Sequence, residues 1–477
     1  MSKLDLAVRH GHVATAEGMA YYDIGVRDGR IVALGRDLPA AKVEIDASGR
    51  VVTPGGIDSH CHIEQPMPAG VRLADDFDSA SLSALCGGTT TLVPFAVQES
   101  GIALPETLAE YRRRAESRSR LDVAFHMVLA EPHAHALAHE IPAVIEQGCT
   151  SFKVYMTYEG MRLTDRQILE VLAVARREGA MTMVHAENAD CIDWLTDQLL
   201  AAGRVAPHEH AASRPMLVER EAAFRAMALA ELVDVPFLIV HVSSPETVAQ
   251  IAAARARGLH VHAETCPQYL LLTAADLHGD AHEGAKYVCS PPPRDDRSRE
   301  GLWAALATGQ FDVVSSDHCP FGFADPLGKA AGLGRDFTCI PNGLPGVETR
   351  LPLLVSEGVL AGRLSWPQFV ALGATQAARL YGLYPRKGSL MVGADADIVV
   401  WNPDDERVVS NDGLHHRADY TPYEGMRVRG WPEWVVGRGE VLFAQGRIAA
   451  EPGRGRVVPC DRPLPPRPGV AALAGGK

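Results

Sequence analysis

The chain has 477 residues, too many for one ordinary core, so its length predicts two to four domains or one large barrel with additions. Asp and Glu number 59 against 46 for Lys and Arg, and the formal charge of −13 argues against nucleic acid or a basic membrane patch as partner, both of which need clustered cations. Hydrophobic residues make up 47% of the chain, which excludes wholesale disorder, and no stretch approaches the roughly 18 uncharged apolar residues of a membrane span.

The opening MSKLDLAVRHGH meets Asp5 and Arg9 before any apolar run of signal type. The nine cysteines are scattered singly from Cys61 to Cys460 with no CxxC pair. A disulfide framework is therefore not expected, and a cytoplasmic protein with reduced thiols fits better. Residues 1–54 predict short strands (LDLAVRHGHV, YYDIGVRDGRIVALG, KVEIDASGRVVTP) with Gly or Asp turns, and the same texture returns in ADADIVVWNP and WVVGRGEVLFAQGRIAA. Neither end has enough strands to bury its own sheet, so residues 1–54 and 386–456 are expected to form one composite β-sandwich domain. Between them, residues 55–385 alternate apolar runs with helical stretches such as RQILEVLAVARREG. The runs are TTTLVPF, VAFHMVL, TSFKVYM, MTMVHAE, PFLIVHVS, LHVHAET and FDVVSSD, and the strand ending near Ile57 makes eight. Continuous apolar strands each followed by a helix predict a parallel sheet covered on both faces, and eight of them a (β/α)8 TIM barrel. Residues 457–477 are Pro-rich and read as a tail, either disordered or laid on a neighbouring subunit.

Active barrels carry their chemistry at the C-terminal ends of strands. Those ends hold His60 and His62, Lys153, His185, His241 and Asp317. His60 and His62 are two apart on a strand, so both rings face one side, an arrangement suited to a borderline divalent metal. An HxH alone is weak, since His133/His135 and His260/His262 repeat the spacing. The further ligand-type residues at other strand ends give it weight. Lys153 alone would read as a snorkelling or ion-paired lysine. Beside metals, carbamylation by CO2 would make it a carboxylate able to bridge two cations. Asp317 alone would read as a helix N-cap, which the following Cys-Pro disfavours.

These segments, with PGGIDSHCH, GGTTT, SFKVYMTY, VHAEN, HVSS, ETCPQYL, CSPPPR, SSDHCPF, IPNGLPGVETRLPLL, LYPRKG, GADADIVVW and YTPYEGMRVRGWP, resemble the cyclic amidohydrolases of the amidohydrolase superfamily. The similarity is closest to the dihydropyrimidinase/hydantoinase branch and runs over roughly residues 4–450. It implies a cyclic amidohydrolase with two Zn2+ or similar divalent metals per subunit, His60 and His62 on one, His185 and His241 on the other. Lys153, carbamylated with CO2 or bicarbonate to N6-carboxylysine, would bridge them, and Asp317 would complete the first site and shuttle a proton. Tyr158 matches the family's oxyanion donor. Ser290 and Asn342 match positions whose backbone groups hold the substrate's ring amide. The product would be an N-carbamoyl amino acid, and the resemblance implies a homotetramer or homodimer.

Dihydroorotases are similar but place an arginine two residues after the HxH, where this chain has Glu64, so a carboxylate-bearing ring is disfavoured by repulsion. An allantoinase-like ureide hydrolase is excluded less cleanly, although SPPPR and IPNGLPGVE are of hydantoinase type. Tyr155 stands where hydantoinases often have Phe, in a loop shaping the pocket. EQPMPAGVRLADDF reads as a gate loop with acids at Asp75, Asp76 and Asp78. Dihydrouracil, a 5-monosubstituted hydantoin and a cyclic imide such as succinimide all remain open as substrates. A non-catalytic interaction protein like the collapsin response mediators is the other class, but all six ligand positions here carry ligand-type residues. His260 and His262 read as contacts to other groups and His208, His210, His415 and His416 as surface residues. KAAGLGRDF follows no predicted strand, so it is not a phosphate loop, and Trp401, Trp431 and Trp434 read as β-domain core.

Overall fold

The computed structural model describes residues 3–67, 70–280 and 282–465. Its centre is a ring of parallel strands: β1 (Gly56–Asp58), β2 (Thr89–Leu92 and Phe95–Val97), β3 (Asp122–Val123 and His126–Val128), β4 (Ser151–Tyr155), β5 (Met181–His185), β6 (Phe237–Ile239), β7 (Val261–Thr265) and β8 (Val313–Val314). Each pairs with the next, as in Ile57 opposite Thr91, Phe95 opposite His126, Tyr155 opposite His185 and Thr265 opposite Val314. Just beyond β1 and β8, Cys61 bridges His318 in parallel and the His62 N–H donates to the His318 carbonyl at 2.7 Å, which closes the ring. The fold is the TIM barrel expected from the eight apolar runs.

Arg350 seals that closure. Fully buried, it donates to the carbonyls of Ile57 in β1 and Val314 in β8 at 3.0 and 2.9 Å and to Thr89 Oγ1 in β2 at 3.0 Å. The outer helices follow from local sequence. In α1 (Phe77–Cys86) Asp76 and Ser79 form a reciprocal capping box. In α2 (Asp165–Glu178) Thr164 and Gln167 do the same, Ile168, Val171, Leu172 and Ala175 turn inward, and Gly179 ends the helix at φ 74°. The α3 helix (Met216–Val233) buries an Ala-rich face of Ala222, Ala223, Ala226 and Ala230, which lets it lie close against the barrel.

Two further sheets draw on both ends of the chain. One has strands Arg30–Gly35, Asp23–Arg27, Leu4–Arg9 and Ala41–Asp46, in that order. The other runs Arg447–Ile448, Glu440–Ala444, Arg427–Gly437, Ile398–Val408, Val51–Pro54, His12–Thr15, Gly18–Tyr21. Its seam is the antiparallel pairing of Ile398 with Pro54 and Val400 with Val52. Leu6, Val8, Ile24, Val26, Val52, Ile398, Val400 and Val436 share one core cluster. Trp401 and Trp431 are buried, whereas Trp434, expected in the same core, is half-buried at its edge.

The expected tail behaves differently over its first part. Val458, Cys460 and Leu464 donate backbone hydrogen bonds to Val123, Gly148 and Gly179, so residues 457–465 are laid on their own barrel, at the N-terminal ends of its strands. Proline supplies no N–H, but the residues between the prolines do, and the strand starts offer free carbonyls. Residues 466–477 lie outside the described residues, as do Pro68 and Ala69 of the gate loop. Among the described residues no helix is long and apolar enough to cross a membrane.

Candidate metal centre

Parallel pairing brings the strand ends to one rim, and there the expected residues converge. The ring centroids of His60 and His62 are 5.4 Å apart, those of His60 and His241 5.4 Å, and those of His185 and His241 4.5 Å. Asp317 Oδ1 lies 3.1 Å from His60 Nε2 and 3.3 Å from His62 Nε2. Lys153 Nζ reaches His60 Nε2 at 2.7 Å. Ligand atoms of His60, His241 and Asp317 all fall within 4.8 Å of one another.

The surroundings set the charges. Burial pulls the Lys153 ammonium down to about 8, against the opposing pull of Asp317 and Glu264, so a neutral amine is within reach near neutral pH. Burial pushes the Asp317 carboxyl up, but His60 and His62 outweigh it and hold the group well below the usual carboxylate range. Burial, helped by His185, drives His241 well below an ordinary histidine, so its ring is neutral. Its Nδ1 is buried without a hydrogen-bond partner.

Tyr158, three residues beyond β4, takes a left-handed φ of 70°. Its ring lies 5.2 Å from that of His185. Burial pushes its phenol up, which keeps it a donor, while the side chains of Ser290 and Asn342 near its hydroxyl favour the ionised form. Beside it opens a cavity of about 370 Å³ lined by Thr157, Tyr158, Arg162, Ile192, Asp193 and Arg214, within the usual range for small-molecule sites.

The chain matches the Amidohydrolase family over residues 51–442. It is 43% identical over 454 residues to the D-hydantoinase of Rhizobium radiobacter, covering 95% of this chain and 98% of the relative. The chain belongs to the amidohydrolase family. Among solved structures, a D-hydantoinase superposes with a TM-score of 0.94 at 42% identity, covering 97% of this chain and 100% of its own. The dihydropyrimidinase of Brevibacillus agri superposes with a TM-score of 0.93 at 39% identity, covering 97% and 99%.

Several residues of this amidohydrolase's site were not expected from sequence. Glu264, at the rim end of β7, accepts from His60 Nδ1 at 2.6 Å and from the His241 N–H at 3.2 Å, and Glu187 accepts from His185 Nε2 at 2.9 Å. These carboxylates fix ring tautomers and leave His60 Nε2 and His185 Nδ1 for a cation. The available signal was the His-Ala-Glu spacing at a strand end, present both as His185-Ala186-Glu187 in VHAEN and as His262-Ala263-Glu264 in HVHAET. His126, inside the barrel below the centre, donates from Nε2 to the Ser59 carbonyl at 3.0 Å and accepts at Nδ1 from the Ser151 hydroxyl, and burial takes it down to about 3.

Five expectations are corrected. Glu64 does not face the site: its Oε1 accepts from the Phe77 N–H at 3.0 Å, at the start of α1, and from Arg118 at 2.8 Å, so it repels no substrate carboxylate. His210 is no surface residue. It is buried and donates from Nε2 to the Cys289 carbonyl at 2.9 Å, with Ser290 Oγ at 3.2 Å. His415 is half-buried against Glu348, at 3.0 Å. Tyr155 is the last residue of β4 rather than part of a loop, stacked at 5.5 Å on His185. The gate-loop acids serve structure: Asp75 accepts from His318 at 2.9 Å, Asp76 caps α1 and Asp78 pairs with Arg120 at 2.6 Å.

Proposed function

We propose that this amidohydrolase hydrolyses the ring amide of a dihydropyrimidine or a 5-substituted hydantoin to an N-carbamoyl amino acid, using two divalent cations, zinc by ligand type. The supporting observation is the convergence of His60, His62, His185, His241, Lys153 and Asp317 beside Tyr158 and its cavity. The residues fit such cations. Four imidazoles and a carboxylate are a nitrogen and oxygen donor set for a borderline metal, and His241 keeps a buried ring nitrogen without partner. Lys153 would add a bridging carbamate, formed when its neutral amine attacks CO2 and releases one proton.

Bound there, two divalent cations supply an acidified water and Lewis-acid polarisation of the ring carbonyl. The protein's own groups do the rest. Asp317 Oδ1, held ionised, accepts the water's proton and delivers it to the leaving ring nitrogen. The Tyr158 hydroxyl donates to the developing oxyanion, and burial, by pushing its pKa up, keeps the proton on it through the neutral range. Ser290 and Asn342 hold the ring amide so that its carbonyl meets these groups. The names of the relatives, D-hydantoinase and dihydropyrimidinase, support the same substrate class.

Lys153→Ala is expected to lose bound metal and activity together, read by metal analysis and by loss of ring absorbance on dihydrouracil, 5-monosubstituted hydantoins and succinimide. Full activity with two metals retained would sink the assignment. Cleavage of succinimide alone would favour the imide reading. Absence of zinc after incubation with Zn2+ and bicarbonate, with no ring opened, would favour an interaction protein.

A further inference from the structure

Lys329 opens the short 3-10 turn Lys329–Gly332 and is completely buried, although no carboxylate pairs with it among the described residues. Its Nζ donates instead to the Val288 carbonyl at 2.7 Å and the Pro341 carbonyl at 2.8 Å. Those carbonyls belong to two separate loops. Val288 lies two residues before Ser290, and Pro341 lies one before Asn342. The loops also meet through a bond from the Gly343 N–H to the same Val288 carbonyl at 3.1 Å, and Val288 and Ile340 share one buried apolar cluster. Ser290 is steadied from its other side by His210.

We propose that Lys329 is a positioning residue for substrate: it staples the two loops so that Ser290 and Asn342 stand at the separation a cyclic amide edge requires. The proposal rests on the reading of those two residues as the ring-amide holders. A pair of hydrogen-bonding groups selects a ring only when both are held to within about 0.5 Å, and one backbone bond with non-directional apolar packing leaves the loops some freedom to shift. A second linkage from a side chain anchored elsewhere removes that freedom. The chemistry of the amine suits the task. Burial lowers Lys329 to about 7, toward a neutral amine whose two N–H bonds match the two carbonyls. Cys289 and Cys319 beside it are pushed up by burial and carry no charge at that pH. An apolar side chain of the same length would leave the Pro341 carbonyl without its lysine donor and the Val288 carbonyl with the Gly343 N–H alone, so that one bond joins the loops.

The test compares wild type, Lys329→Met and Lys329→Gln as metal-loaded full-length enzymes, with KM and kcat on dihydrouracil and a 5-monosubstituted hydantoin, metal content and thermal unfolding. Lys329→Met is expected to raise KM at least tenfold while kcat falls less than threefold and two metals per subunit remain. Lys329→Gln retains an N–H donor and is expected to fall between the two, and it carries the test if the Met variant does not fold. Unchanged KM in a folded variant overturns the proposal. So does parallel loss of kcat and metal, which marks a purely structural lysine. A wild type that opens none of these rings removes the parent reading, and this proposal with it.

Discussion

Three residues around the candidate centre have backbones in the left-handed region that side chains usually avoid: Tyr158 at φ 70°, His241 at 39° and Asp317 at 49°. Such positions cost of order 1–3 kcal/mol each and persist only where surrounding packing over-determines them. Here each follows a barrel strand, and the turn out of the strand re-aims the side chain across the rim. The same economy of placement applies to the carboxylates behind the histidines. Glu264 is fully buried and holds both His60 Nδ1 and the His241 N–H. Glu264→Gln keeps the shape but can offer His60 only a neutral acceptor. We expect metal to be lost about 10–100-fold more readily in chelator competition, with an unchanged circular dichroism spectrum. Metal retention equal to wild type would show that Glu264 does not orient the ligand. The candidate ligand histidines were legible in the sequence because they lie at the ends of predicted strands. Glu264 was not, because its partner His60 is 204 positions away.

At the scale of elements, the segments that hold the site are tied to one another by buried polar side chains. Arg294 of SPPPR donates to Ser243 Oγ at 2.9 Å, in the loop after β6, and to Glu219 on α3 at 3.1 Å. Glu219 also accepts from the Ser243 N–H at 2.9 Å. Burial raises the Glu219 carboxyl, with Arg294 opposing, so the arginine is what makes a charge tolerable there. Removing one partner of a buried pair typically costs about 3–5 kcal/mol, because the other charge stays behind. Arg294→Met should therefore lower stability in urea unfolding by that order, and adding Glu219→Gln should recover much of it. A single variant within about 0.5 kcal/mol of wild type would contradict the pairing. Helices such as α2 were readable from period and caps alone, since Thr164, Gln167 and Gly179 act within one turn of its ends. The fate of Glu64 was not: whether that carboxylate faced substrate or the start of α1 depended on where α1 and Arg118 came to rest.

Across the whole molecule, the barrel and the terminal sheets meet at a buried charge cluster. Lys387 is nearly inaccessible and lies 2.6 Å from Asp122 of β3, 2.8 Å from Asp397 and 3.1 Å from Asp395. Burial raises the Asp122 carboxyl, but Lys387 and then Arg438 outweigh it and lower it below its ordinary value. A depressed carboxyl contributes stability that is fully present above its unfolded pKa of about 3.9 and is lost as pH falls through the folded value. Lys387 is shifted the other way, upward, by Asp397, Asp122 and Asp395 against the opposing effect of burial. Its contribution is present below about 10.4 and is lost only at higher, strongly alkaline pH. Lys387→Met is expected to cost about 3–5 kcal/mol at pH 7 and to flatten the fall in stability below about pH 4. Unfolding curves at pH 7 and pH 3 test this, and an acid dependence identical to wild type would refute it.

Local pattern was enough to determine the eight apolar strands, the helices between them and the strand-rich ends, and to place the candidate metal ligands at strand ends. Each of these depends on neighbours within a few positions, where periodicity and motif spacing operate. Tertiary structure alone decided what those residues touch. Ring closure set Cys61 beside His318, and helix packing turned Glu64 outward. The crossing of distant loops placed His210 under Ser290 and Lys329 between Val288 and Pro341. Such contacts follow from the angle and depth at which whole elements pack, which no short stretch of sequence encodes.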